Sequence, residues 1–221
     1  MLKRVILLTL VVIIALFSLI GCEKDREYDE AEVLSAAKTL IEKSKTVNEI
    51  FYGKGIAYID DKSYANGNYY MADPLSTDSF GVNTVDDMKA LVRECFSLDY
   101  SNLVINTTLS SVSDDSGIQG LARYYQKVNS LDDTPECIMV LKDPDRIMLK
   151  DDVTYHYDTL SVIGSEGQHV KVSISVTVTG DGDKTQNKVI EIKLIEEDGG
   201  WRIDSPTYAR YTENYEIQKG T

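Results

Sequence analysis

VKVSISVTV, running from Val170 to Val178, alternates apolar and polar residues without a break. Successive side chains of a strand point to opposite faces. Val170, Val172, Ile174, Val176 and Val178 therefore share one face, and Lys171, Ser173, Ser175 and Thr177 the other. One face is buried and one is solvated. Downstream, Gly180-Asp181-Gly182-Asp183 supplies a turn, Val189 to Ile195 returns antiparallel, and Glu197-Asp198-Gly199-Gly200 leads into Trp201-Arg202-Ile203. In that last strand Trp201 and Ile203 share a face, which predicts a core position for the indole. Upstream, Arg123 to Gln126, Cys137 to Leu141 and Thr154 to Ile163 read as strands.

Ahead of the strands the period changes. Val33, Ala37, Leu40, Val47 and Ile50 recur at helical spacing between Asp29 and Ile50, with charged residues between them. Phe51-Tyr52-Gly53-Lys54-Gly55 ends that helix, with Gly53 or Gly55 suited to a left-handed cap. Residues 58–83 are rich in Gly, Asn, Asp and Ser around Asn68-Tyr69-Tyr70-Met71, which reads as an edge strand. Thr84-Val85-Asp86-Asp87 starts a second amphipathic helix carrying Val85, Met88, Leu91, Val92, Cys95 and Phe96. Residues 99–112 fit helix or strand, with helix favoured for the first half. No linker separates these parts. The expectation is one α+β domain over residues 29–221: amino-terminal amphipathic helices on a curved, cone-like antiparallel sheet.

Residues 5–17, VILLTLVVIIALF, follow Lys3 and Arg4. A basic start and an apolar run too short for a comfortable membrane span make a signal-peptide layout over residues 1–21. Leu19-Ile20-Gly21-Cys22 resembles the lipobox of bacterial lipoproteins. That resemblance implies cleavage after Gly21, lipid on the Cys22 sulfur, and a membrane partner reached through that lipid. An uncleaved anchor helix is the alternative, and either form puts the rest of the chain outside the cytoplasm. Residues 22–28 make a short tether spanning roughly 25 Å when extended.

The chain has 221 residues, 43% apolar and 27% charged, which excludes intrinsic disorder, collagen and a small disulfide scaffold. Its net charge of −13 falls to −15 once Lys3 and Arg4 are removed with the leader. Nucleic-acid phosphates are repelled by such a chain.

Motifs for chemistry are sparse. Cys95 and Cys137 either pair or stay as buried free thiols. His156 and His169 show no metal-ligand spacing and read as solvated strand residues. Asp181, Asp183, Thr185 and Asn187 mimic half of a calcium loop, but Gln186 and Ile192 stand where it needs Gly and Glu. No catalytic group, metal or cofactor is expected. Tyrosine is abundant instead, at 14 residues against four Phe and one Trp. Tyr52, Tyr58, Tyr64, Tyr69 and Tyr70 crowd the segment after the first helix, offering contact area with a polar tip. Strands also favour aromatics, so covering the sheet is the competing role.

At the carboxyl end, Gly199-Gly200-Trp201-Arg202-Ile203-Asp204-Ser205-Pro206-Thr207-Tyr208 resembles the last strand of nuclear-transport-factor-2-like domains. The order helix, Tyr-rich segment, helix, meander also resembles the secreted Gram-positive inhibitors of cell-wall DL-endopeptidases. There an aromatic-plus-glycine element follows the first helix, as Phe51-Tyr52-Gly53-Lys54-Gly55 does here. The resemblance implies a non-catalytic, extracytoplasmic regulator or inhibitor whose partner is a basic cell-wall hydrolase. It would use Phe51, Tyr52, Gly53, Gly55, Tyr69 and Tyr70 as the binding segment. The alternatives are a small-ligand-binding or enzymatic domain with a pocket inside the cone, and a ligand-binding lipoprotein feeding a transporter. Inward strand positions read as Val, Ile and Leu, which favours a filled core.

Overall fold

A computed structural model describes residues 28–64, 68–110, 112–114, 117–128, 136–142 and 151–211. The leader, Cys22 and the tether up to residue 27 lie outside the described residues.

Helix α1 spans Glu30–Phe51. Asp29 caps it, accepting from the Ala31 amide at 2.9 Å and the Glu32 amide at 3.3 Å. Its apolar stripe, Val33, Ala37, Leu40, Ile41, Val47 and Ile50, is buried throughout. Strand β1 (Tyr58–Tyr64) and strand β2 (Tyr69–Ala72) then pair as an antiparallel hairpin. Helix α2 (Pro74–Phe80) follows, with Asp73 as its cap, Pro74 in its first turn and Gly81 closing it in the left-handed region at φ 68°. Helix α3 (Val85–Cys95) starts on a capping box of Thr84 and Asp87, and helix α4 (Leu98–Leu109) follows almost directly.

The remaining strands are β3 (Val112–Asp114), β4 (Gly117–Gly120), β5 (Tyr124–Lys127), β6 (Cys137–Leu141), β7 (Asp152–Glu166), β8 (His169–Thr179), β9 (Thr185–Glu197) and β10 (Gly200–Ile203). The class is α+β, but the strands do not form one long curled sheet. They divide into a sheet ordered β1-β2-β6-β5, a sheet ordered β10-β9-β8-β7, and a β3-β4 ribbon. In the second sheet every neighbour is antiparallel, and β8 and β9 pair without a register break from His169↔Ile195 to Thr179↔Thr185. Unbroken alternation in β8 fixes that register, because a one-residue slip would expose five apolar side chains.

Two sequence expectations change here. Residues 68–71 are not an edge strand, since β2 lies between β1 and β6. The outer position belongs to β1, whose sequence YIDDKSY carries the charges that suit an edge. Trp201 is not a fully buried core residue either. It is half-buried, packed against the core margin, and its indole Nε1 donates to Glu32 Oε1 at 3.2 Å. Strand β10 is short and forms the sheet edge, so the ring is left at the rim beside the first turn of α1.

The inward residues of β8 together with Ile192, Leu194 and Ile203 pack in one cluster with the α1 stripe and with Met88, Val92 and Cys95 of α3. All of these side chains are essentially inaccessible to solvent. Each large one contributes roughly 1.5–3 kcal/mol by leaving water. This core fixes the carboxyl end of α1, from which the candidate surface is built.

Candidate partner-binding surface

Helix α1 stops at a doubly used carbonyl: the Tyr52 and Gly53 amides both donate to Asn48 O, each at 2.8 Å. The turn that follows is fastened to β5 from below. Tyr124 Oη donates to Ile50 O at 2.6 Å and accepts from the Ile56 amide at 3.2 Å. Arg123 Nη2 donates to Gly53 O at 2.7 Å. Of the two glycines, Gly55 takes the left-handed conformation, at φ 75°. A Cβ there would come within 2.2 Å of Tyr124 Oη and 2.3 Å of Arg123 Nη2. Phe51 is fully buried, its ring edge-on to Tyr124 with centroids 6.2 Å apart.

Tyr69 and Tyr70 are interior as well. Tyr69 Oη donates to Ala122 O at 2.6 Å, and its ring stands edge-on to Tyr125 at 4.7 Å. Tyr70 packs on Tyr58 at 4.9 Å, and Lys142 Nζ lies 5.1 Å over its ring. The expected segment from Phe51 to Tyr70 is therefore not a continuous exposed patch. Phe51, Gly53, Tyr69 and Tyr70 are buried, because β2 has neighbours on both sides and α1 covers the turn. Tyr52 and Gly55 keep partial exposure.

Around Tyr52 the fold gathers residues that sequence reasoning left apart. The Tyr52 ring lies 5.4 Å from that of Tyr208, in the extended chain after β10. Tyr100, on α4, senses the phenols of both and packs on Phe96 at 5.0 Å. Burial pushes the Tyr52 phenol up to about 12, and the neighbouring Tyr208 adds to the shift. Burial raises Tyr100 too, followed by the influence of Tyr52 and Tyr208. Tyr52 and Tyr100 are thus neutral donors near pH 7. Leu103, one helical turn beyond Tyr100, is 58% exposed, and Leu98 at the start of α4 is 60% exposed. Asp99 is the one charged residue in α4, and the Glu197 carboxylate accepts from the Leu98 amide at 2.9 Å, so α4 itself carries little charge in a chain of net charge −13. Tyr100 sits in the segment of ambiguous period and Tyr208 beyond the last strand. For Tyr100 only the excess of tyrosine pointed to it, and Tyr208 closes the carboxyl-terminal stretch that carries the resemblance, with no role assigned there.

Among the described residues both histidines and the serine beside one of them are held in hydrogen bonds. His169 Nε2 lies 2.8 Å from Asp204 Oδ2, and the Ser97 hydroxyl donates to Asp204 Oδ1. Ser, His and Asp are together, but Asp204 stands in the middle, so the imidazole cannot take the Ser97 proton. Ser97 Oγ also accepts from the Tyr100 amide at 3.1 Å, as the cap of α4. His156 Nε2 pairs with Thr177 Oγ1 at 2.8 Å. Both histidines are part-buried and partnered rather than simply solvated. Cys95 and Cys137 are free thiols, the first buried and the second half-buried. Among the described residues no cluster of three or more His, Cys, Asp or Glu could hold a metal ion.

Compared with family models, with curated proteins and with solved structures, the chain gives no match.

Proposed function

We propose that this chain is a lipid-anchored, extracytoplasmic binding domain that regulates or inhibits a cell-wall hydrolase and performs no chemistry itself. The observation that carries the reading is the Tyr52–Tyr100–Tyr208 cluster. Three chain segments far apart in sequence converge there on half-buried phenol rings, beside exposed Leu98 and Leu103. Large, stiff, amphipathic rings next to a helix that carries little charge make contact area that desolvates cheaply. The filled core under β8 and β9 favours this reading over an internal pocket. The excess of acid elsewhere would steer a basic partner toward the surface, raising association rate more than affinity.

The anchor in this reading is lipid on Cys22, held by the sequence Leu19-Ile20-Gly21-Cys22. Among the described residues no helix is long and apolar enough to cross a membrane. Cys22→Ala should move the chain out of the membrane fraction or leave its leader uncut.

The test of function is to titrate the full chain, in mild detergent, into DL-endopeptidase assays. Tyr52→Ala, Tyr100→Ala and Tyr208→Ala should each weaken inhibition at least tenfold, while Leu75→Ala, an exposed apolar change on α2, should not. Absence of inhibition at micromolar concentration, or equal loss with Leu75→Ala, would remove the inhibitor reading.

A further inference from the structure

Arg123 is 1% exposed, yet among the described residues its guanidinium has no carboxylate partner within ion-pair distance. Its Nη2 donates to Gly53 O, and its charge rests 5.4 Å from the Tyr124 ring centre. Nε and Nη1 are buried and make no hydrogen bond. Glu49, on the neighbouring turn of α1, bonds the Lys54 amide through Oε1 at 3.1 Å and leaves Arg123 Nε and Nη1 without an acceptor. A buried cation needs both acceptors for its donors and a negative charge nearby. Water would meet the first need only. An oxyanion meets both, and charge-assisted hydrogen bonds to a guanidinium are the strong ones.

We propose that Arg123 is the floor of an anion-binding site, closed in this structure by the Gly53–Gly55 turn, that takes a small carboxylate or phosphate group. The turn has the parts for opening. It carries two glycines, one of them left-handed, and it is held to the floor by Arg123 Nη2 and Tyr124 Oη. Lys54, at its tip, is exposed.

The full chain in mild detergent is melted at pH 7 and constant ionic strength, with sodium acetate or sodium phosphate replacing sodium perchlorate. At a tenfold excess over the dissociation constant, the melting temperature should rise by about 3–6 °C. Arg123→Met carries the same salt steps and reports non-specific salting. It should fold, because an unpaired buried cation is replaced by an apolar chain of similar length. In the ¹⁵N-arginine-labelled wild type, the Nε–H resonance that Arg123→Lys removes should move downfield on adding the anion. This second readout decides if Arg123→Met does not fold. A response to acetate alone or phosphate alone names the group bound. An equal melting rise in Arg123→Met, or an Nε–H resonance that stays in place with both anions, overturns the proposal.

Discussion

Tyr124 reaches up from β5 to donate a 2.6 Å hydrogen bond to the carbonyl of Ile50, in the last turn of α1. One phenol thereby ties the first sheet to the helix that packs on the second. The same oxygen accepts from the Ile56 amide, so the chain between residues 50 and 56 is closed into a loop around it.

Gly55 is the position in that loop with no room for a side chain. Ala there would combine a left-handed backbone with a Cβ 2.2 Å from Tyr124 Oη, so Gly55→Ala should cost about 2–4 kcal/mol. Gly81 is also left-handed but faces open space, and Gly81→Ala should cost about 1–2 kcal/mol. Urea unfolding of the two variants separates steric closure from backbone strain. Equal losses would show that the loop yields.

Much of the fold is legible in the chain because its signals are local. The β8 alternation, the helix start at Thr84 and the stripe of α1 each depend on residues within a few positions, and all appear where their pattern puts them. Helix α2 had its own marks, Asp73-Pro74 and Gly81, but they lie in a segment whose Gly, Asn and Ser content reads as loop. The tyrosines were harder. Whether Tyr69 is surface or interior depends on β6 lying beside β2, a pairing across some seventy residues that no local pattern contains. Tyr208 meets Tyr52 for the same non-local reason, and Tyr100 comes close enough to feel both phenols.

The capping box of α3 gives a pH dependence of definite sign. Asp87 Oδ2 accepts from the Asn83 amide at 2.9 Å and the Thr84 amide at 2.8 Å, and the Asn83 bond leads in holding its carboxyl below the ordinary 3.8. A depressed folded value means the contribution is complete above about pH 4 and is lost as pH falls through that lower value. Asp87→Asn should therefore cost about 0.5–1 kcal/mol at pH 7, a figure kept small by solvent screening. The difference should shrink as pH falls below the ordinary carboxylate range and Asp87 itself takes up its proton. Denaturant midpoints of both proteins at pH 7 and pH 2.5 check it, and a constant gap would mean the charge is irrelevant.

The two thiols should differ in reactivity. Burial pushes Cys95 up to about 12, leaving about one part in 10⁴ as thiolate at pH 8, and the side chain is sealed from solvent. Cys137 is also raised by burial, but it is only half-buried. With an aromatic disulfide reagent, a fast phase should survive in Cys95→Ser and disappear in Cys137→Ser. The Cys95 phase should be at least a hundredfold slower in the native chain and become fast in guanidinium. A fast Cys95 phase under native conditions would mean that the α3 face opens readily.

Thr207 holds the extended chain after β10 against α1 through a chain of hydrogen bonds whose direction is determined. Ser44 Oγ donates to Ile41 O at 2.7 Å, so its single proton is used. It must then accept from Thr207 Oγ1, 2.8 Å away, and Thr207 in turn accepts from Asn48 Nδ2 at 3.0 Å. The Thr207 carbonyl accepts from Tyr155 Oη at 2.5 Å, which brings β7 into the same cluster. Thr207 and Ser44 are fully buried, so an orphaned group there finds no water. Thr207→Val keeps the shape and removes the middle of the relay, leaving Asn48 without its acceptor. It should cost about 2–3 kcal/mol. Ser44→Ala should cost a similar amount alone, yet the double variant should lose less than the two together, because each change breaks the same relay. Additive losses in urea unfolding would show that Ser44 and Thr207 act independently, and that the carboxyl-terminal chain is held by packing and the Tyr155 bond instead.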